Sequence, residues 1–110
     1  MTARIRLAGQ ELIAFNGGPT IKFTEAISLF VPCENQQEID DLWDRLGAGA
    51  LSRQCGWIKD KFGVSWQIVP AGLGKMLSDK DPAKARRVGE TLRRMEKLDI
   101  VRLKQAYEGR

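Results

Sequence analysis

Residues 2 to 8, Thr-Ala-Arg-Ile-Arg-Leu-Ala, alternate between polar and apolar side chains with period two, and Gly9-Gln10 separates them from a second strand-like run, Glu11 to Asn16. This pattern predicts a hairpin. Asn16-Gly17-Gly18-Pro19 then interrupts any ladder, and a strand is expected from Glu25 to Cys33, with Ile27, Leu29 and Val31 on one face and Ala26, Ser28 and Phe30 on the other. Asn35 is placed to cap a helix with Glu38 as its capping-box partner, and Ile39, Leu42, Trp43 and Leu46 recur at helical spacing until Gly47-Ala48-Gly49. A strand from about Leu51 to Lys59, a turn at Asp60-Lys61-Phe62-Gly63 and a strand from Val64 to Val69 follow, and Pro70 closes the sheet region. The remainder reads as helical: a short segment near Ala71 to Leu77, a longer one with Asp81 as N-cap and Pro82 at its first position, and a last one capped by Asp99. In the long helix Ala85, Val88, Leu92 and Met95 form the apolar stripe.

At 110 residues, 43% hydrophobic and 29% charged, the chain is long enough for one domain with a modest core. No apolar run reaches the roughly 20 residues of a membrane-spanning helix, and no basic segment with a long apolar stretch opens the chain, so a cytoplasmic location is expected. The sequence has no histidine. Ser-His-Asp and Cys-His catalysis and facial-triad iron sites therefore cannot be built from this chain alone. Cys33 and Cys55 lack metal-ligand spacing and are expected as reduced, half-buried strand residues.

The net charge of +4 is unevenly distributed: residues 71 to 110 carry 11 basic and 6 acidic side chains, against 7 and 8 in residues 1 to 70. Arg86, Arg87, Arg93 and Arg94 give the long helix a basic surface. Binding of an acidic partner or nucleic acid is one function class this permits, although such helix faces commonly serve only as solvated surface.

Phe15-Asn16-Gly17-Gly18-Pro19, Phe23-Thr24-Glu25-Ala26-Ile27-Ser28, the run Cys55 to Pro70 and Met95-Glu96-Lys97-Leu98-Asp99-Ile100 together carry a family resemblance. In this order and spacing the chain resembles PhnB-like proteins, often named 3-demethylubiquinone-9 3-methyltransferase, of the glyoxalase/bleomycin-resistance (vicinal oxygen chelate) superfamily. The resemblance implies an α+β fold with a glyoxalase-like mixed β-sheet. Residues 1–18 would be a hairpin remnant of an incomplete first module, 24–70 a βαββ second module, and 71–110 C-terminal helices of the same single domain. A partial first module implies an uncovered sheet edge, so a homodimer is expected, with strand exchange as one form it can take.

The superfamily's enzymes hold a divalent metal on side chains facing a cup, where it acts as a Lewis acid. By that resemblance Gln67 occupies the position of the usual Glu, and Glu25 is the one charged candidate besides it. One carboxylate and one amide fall short of a tight transition-metal site. The expectation is a metal-free cup that binds a small molecule without a cofactor. Gln67, Ser65 and Ser28 would offer hydrogen bonds, Trp57 or Phe15 an apolar wall, and Asn16 and Glu25 complete the candidate set. A metal-dependent lyase, isomerase or dioxygenase using Glu25 and Gln67 is the alternative. Each residue also has a plainer reading: Gln67 and Ser65 on a wetter sheet face, Trp57 and Trp66 in the core, Lys59 and Asp60 as solvated charges beside the turn. The glycine-rich strand-to-helix turn of common S-adenosylmethionine enzymes has no counterpart in the sequence.

Overall fold

The computed structural model describes all of residues 1–110. Its first element is the expected hairpin, β1 (Thr2–Leu7) and β2 (Gln10–Phe15), paired from Thr2 with Phe15 to Leu7 with Gln10. Ala8 and Gly9 form the two-residue connection with φ of 51° and 81°. Positive φ at both positions matches the right-handed twist of the flanking strands. Every residue of the two strands is exposed, and they form a sheet of their own.

A second sheet has the order β3-β6-β5-β4, built from β3 (Leu29–Cys33), β4 (Ser52–Gln54), β5 (Trp57–Lys59) and β6 (Ser65–Pro70). β3 runs parallel to β6, and the other two pairings are antiparallel. The parallel pair requires a crossover, which α1 (Gln36–Gly47) supplies. Asn35 caps α1 by accepting from the Glu38 amide at 2.9 Å, while the Glu38 carboxylate reaches back to the Glu34 amide at 2.8 Å. Ile39 and Trp43 of α1 pack with Cys33, Ile58 and Ile68 on one face of the sheet, flanked by Val31, Leu42 and Leu46.

Three helices close the chain: α2 (Leu73–Leu77), α3 (Pro82–Arg93) and α4 (Ile100–Glu108). Asp81 and Asp99 cap α3 and α4 through their side chains, as the sequence indicates. Val88, Met95, Leu98 and Leu103 form a second core with Val69 and Leu73. Gln36 joins the two cores. Its amide donates to the Leu98 carbonyl at 2.9 Å and accepts from the Ile100 amide at 2.8 Å, tying the start of α1 to the start of α4.

Two expected strands differ from those observed. The run Glu25 to Cys33 is strand only from Leu29, because Thr24 takes the local alternative of a turn: its hydroxyl accepts from the Ala26 amide at 3.2 Å and its carbonyl from the Ile27 amide at 3.5 Å. The run Leu51 to Lys59 is two strands, not one. Cys55 and Gly56, at φ of 53° and 83°, turn the chain between β4 and β5, so Cys55 is a turn residue and the module reads βαβββ from β3 onward. Both cysteines are free thiols, and burial, reinforced by Glu38 and Glu34, raises the Cys33 pKa above its ordinary value.

Asp60 corrects the expectation of a solvated charge. It is only 9% exposed and ties the β5–β6 turn together, accepting from the Phe62 and Val64 amides at 2.9 and 3.0 Å and from the Trp66 indole at 2.9 Å. Trp66 accordingly lies on the side of the sheet opposite Gln67, with its indole N–H satisfied.

Candidate functional site

The face of the second sheet away from α1 is set by strand parity. Trp57 pairs with Gln67, Lys59 with Ser65 and Phe30 with Gln67, so these five side chains share one face, opposite the buried Ile58 and Ile68. The Cys55-Gly56 turn adds Ser52 and Gln54, because the pairings Ser52 with Lys59 and Gln54 with Trp57 bring them onto the same face. A concavity of about 530 Å³ opens there, with Ser65, Trp57, Gln54, Cys55, Lys59 and Glu25 in its lining. That volume falls within the range of small-molecule sites, roughly 300–1,000 Å³.

Ser65 lies at its floor, only 3% exposed, whereas Trp57 is 37% exposed and presents an indole at the wall. Phe30, 60% exposed, extends the apolar surface on the far side of Gln67. Glu25 reaches the site from the loop before β3 and pairs with Lys59 at 3.3 Å. Both side chains keep contact with solvent, so the pair is weak and free to open toward a charged ligand. The Gln67 amide donates to the Ser28 hydroxyl at 2.9 Å, which orients two polar side chains beside the concavity.

Of the seven residues expected at the site, Glu25, Trp57 and Ser65 line this concavity, and Gln67 with Ser28 forms a hydrogen-bonded pair on the same face. Phe15 and Asn16 are elsewhere. They border a separate hollow formed by the segment from Phe15 to Phe23, where Phe15 is exposed. Ser52 and Gln54 are lining residues that sequence alternation does not bring to this face, and Lys59, expected as a solvated charge beside the turn, lines the concavity as well. Reading 51–59 as one strand puts Ser52 and Gln54 on the face opposite Trp57, and the two-residue turn reverses that parity. The signal was present in Cys55-Gly56, a glycine-containing dipeptide between two short runs.

The donor set here does not fit a transition metal. Glu25 is the one carboxylate lining the concavity, Gln67 offers only a neutral amide oxygen, and no group of three or more carboxylate or thiolate side chains converges anywhere in the chain. What the face offers is an apolar wall, hydroxyl and amide groups, and one opposed pair of charges.

The sequence model of the family described as 3-demethylubiquinone-9 3-methyltransferase matches residues 1–69. Among solved structures, the chain is similar to a putative 3-demethylubiquinone-9 3-methyltransferase, PhnB protein, from Bacillus cereus, at 32% identity and a TM-score of 0.55. That similarity covers 63% of this chain and 64% of the Bacillus chain, so this chain spans a little under two thirds of its neighbour's length. Comparison with curated proteins gave no match. With more than half its length matched by the family model, and with a PhnB-named protein as structural neighbour, the chain belongs to the 3-demethylubiquinone-9 3-methyltransferase family of PhnB-like proteins.

Proposed function

We propose that this protein is a glyoxalase-type small-molecule-binding cup, that the open face of the four-stranded sheet is its wall, and that a second copy of the chain completes it. The observation that carries the reading is the face itself. A sheet surface that served only as solvated exterior would not combine a buried hydroxyl and an exposed indole lining a concavity of about 530 Å³ with an oriented amide and a second exposed ring on the same face. The ligand this chemistry fits has a flat or apolar body for Trp57 and Phe30, one hydrogen-bonding group for Ser65 or Gln67, and a polar or charged end for the Glu25–Lys59 pair.

Dimeric completion is supported by surface area. The chain exposes 8025 Å², whereas a compact monomer of 12.3 kDa exposes about 6,100 Å². The surplus of about 1,900 Å² per chain, doubled in a pair, lies in the range of obligate homodimer interfaces. Every residue from 1 to 27, the hairpin among them, is exposed. Ile5 and Leu12 face each other across β1 and β2, with Leu7 beside them and the Ala3–Ala14 pair beyond, and Gln10 is the one polar side chain on that side; Arg4, Arg6 and Glu11 lie on the other, together with Thr2 and the exposed Ile13 and Phe15. A two-stranded hairpin is marginally stable alone, so this apolar side needs a cover, and the open face of another copy's sheet provides a matching one.

The binding claim is tested by thermal shift against a library of small carboxylates, amides and aromatic acids. A ligand that binds only the folded state raises the melting temperature in proportion to its concentration over Kd. Gln67→Leu is expected to remove the Ser28 contact and lower affinity for the best compound by roughly ten-fold, the effect of one lost hydrogen bond near a binding surface. Unchanged affinity in that variant would show that Gln67 takes no part.

A further inference from the structure

Helices α3 and α4 face each other with stripes of the same period. Arg87, Glu90, Thr91 and Arg94 follow one another at i, i+3, i+4 and i+7 along α3 and its C-cap, and Arg102 and Gln105 belong to the corresponding stripe of α4. All six line one cleft of about 360 Å³ between the helices. The geometry separates the four arginines read from the sequence as one basic surface: Arg87 and Arg94 turn into this cleft, and Arg86 and Arg93 are exposed outside its lining.

Arg87 is the fixed member. Its Nε donates to the Ala106 carbonyl at 2.8 Å and one Nη to the Tyr107 carbonyl at 3.0 Å, which satisfies the C-terminal end of α4 and leaves the second Nη without a partner in the chain. Neither Arg94 nor Arg102 has a carboxylate within salt-bridge distance; the ion pairs of the protein lie at other residues. Arg102 sits in the first turn of α4, where the helix dipole disfavours a cation. Four guanidinium groups therefore share the lining of this cleft: Arg110 is paired with Glu108 outside it, and the other three have a single carboxylate among them, Glu90, with the hydroxyl of Thr91 and the amide of Gln105 as neutral donors beside them. Such a set lacks its counter-charge. A tetrahedral dianion would supply it, since guanidinium forks match two phosphate oxygens at once.

We propose that the α3–α4 cleft is a binding site for a phosphate group, with Arg94 and Arg102 as the principal ligands and Arg87 as the pre-positioned third. It is separate from the sheet-face site and does not depend on it.

The test uses the full chain, with inorganic phosphate and phenyl phosphate titrated in parallel at constant ionic strength, set by chloride, and followed by calorimetry and thermal shift. Saturable binding with one site per chain, absent for chloride, is expected for at least one of the two. Tighter binding of phenyl phosphate identifies an ester as the ligand class, and equal binding identifies free phosphate. Arg94→Gln with Arg102→Gln should weaken binding by roughly ten-fold or more, as expected for losing charge-assisted hydrogen bonds. Arg102→Lys, which keeps the charge and loses the fork, should fall between, and Gln67→Leu should bind phosphate like the parent. Stabilisation that chloride reproduces, or phosphate affinity unchanged in the double variant with its circular dichroism intact, would overturn the proposal.

Discussion

Gly56 stands at φ of 83°, and a Cβ on it would lie 2.9 Å from Leu98 Cδ1 and 3.2 Å from the Ile68 carbonyl oxygen. Its amide donates to the Glu96 carbonyl and its carbonyl accepts from the Ile68 amide, both at 2.8 Å, so the backbone has no room to move aside. Gly56→Ala is therefore expected to destabilise the fold by about 2–3 kcal/mol, the sum of a left-handed backbone cost and a packing clash, measured as a shift in urea midpoint without change of slope. A substitution that leaves the midpoint in place would show that the turn is looser than its geometry implies. At this scale the sequence was legible where side chains act locally. Asn35, Asp81 and Asp99 announced themselves as caps because each bonds an amide two or three residues away. Asp60 did not, because its burial depends on the Trp66 indole six residues on, a contact that exists only once β5 and β6 pair.

Among the elements, α1 and α4 are joined by the Gln36 side chain and by Ile100, which packs against the core that Ile39 and Trp43 build. The Gln36 amide matches one peptide carbonyl and one peptide N–H at the Leu98–Ile100 corner, and a further bond reaches Asp40 at 3.1 Å. Asp40 in turn pairs with Lys97 at 2.9 Å, and the Gln36 bond, followed by the Lys97 bond, holds its carboxyl below the usual carboxylate value. Gln36→Ala leaves the Ile100 N–H and the Leu98 carbonyl without partners, so a loss of about 1–3 kcal/mol is expected in denaturant melts; Gln37→Ala, whose bond to Asp41 is exposed, should change stability little. Equal effects from the two would contradict a structural role for Gln36. Helices α1 and α3 were readable because their apolar period and their caps agree, and α4 from its Asp99 cap. The sheet was less readable: β4 and β5 are three residues each, too short for alternation to establish a period, and a two-residue turn between them inverts which side chains share a face. For that reason strand parity read from the sequence leaves Ser52 and Gln54 off the face that Trp57, Ser65 and Gln67 share.

The whole molecule measures 53 × 27 × 25 Å with a radius of gyration of 16.1 Å, against about 13 Å for a compact chain of this length. Its apolar residues from Ile5 to Phe30 are mostly exposed, while the two cores draw on residues from Val31 onward. The alternation that predicted β1 and β2 gave the hairpin but put its turn at Gly9-Gln10, whereas the chain turns at Ala8-Gly9 and pairs Leu7 with Gln10; strand periodicity does not encode what covers the Ile5–Leu12 side. The central claim is that a second copy covers this side and closes the cup over Trp57 and Gln67. Sedimentation equilibrium at micromolar concentration tests it most directly, comparing the parent chain with Ile5→Asp/Leu12→Asp, which places two carboxylates on the apolar side of the hairpin. The parent is expected to sediment as a species of twice 12.3 kDa and the variant at 12.3 kDa; a parent chain that sediments as a single 12.3 kDa species would show that no second copy covers the hairpin.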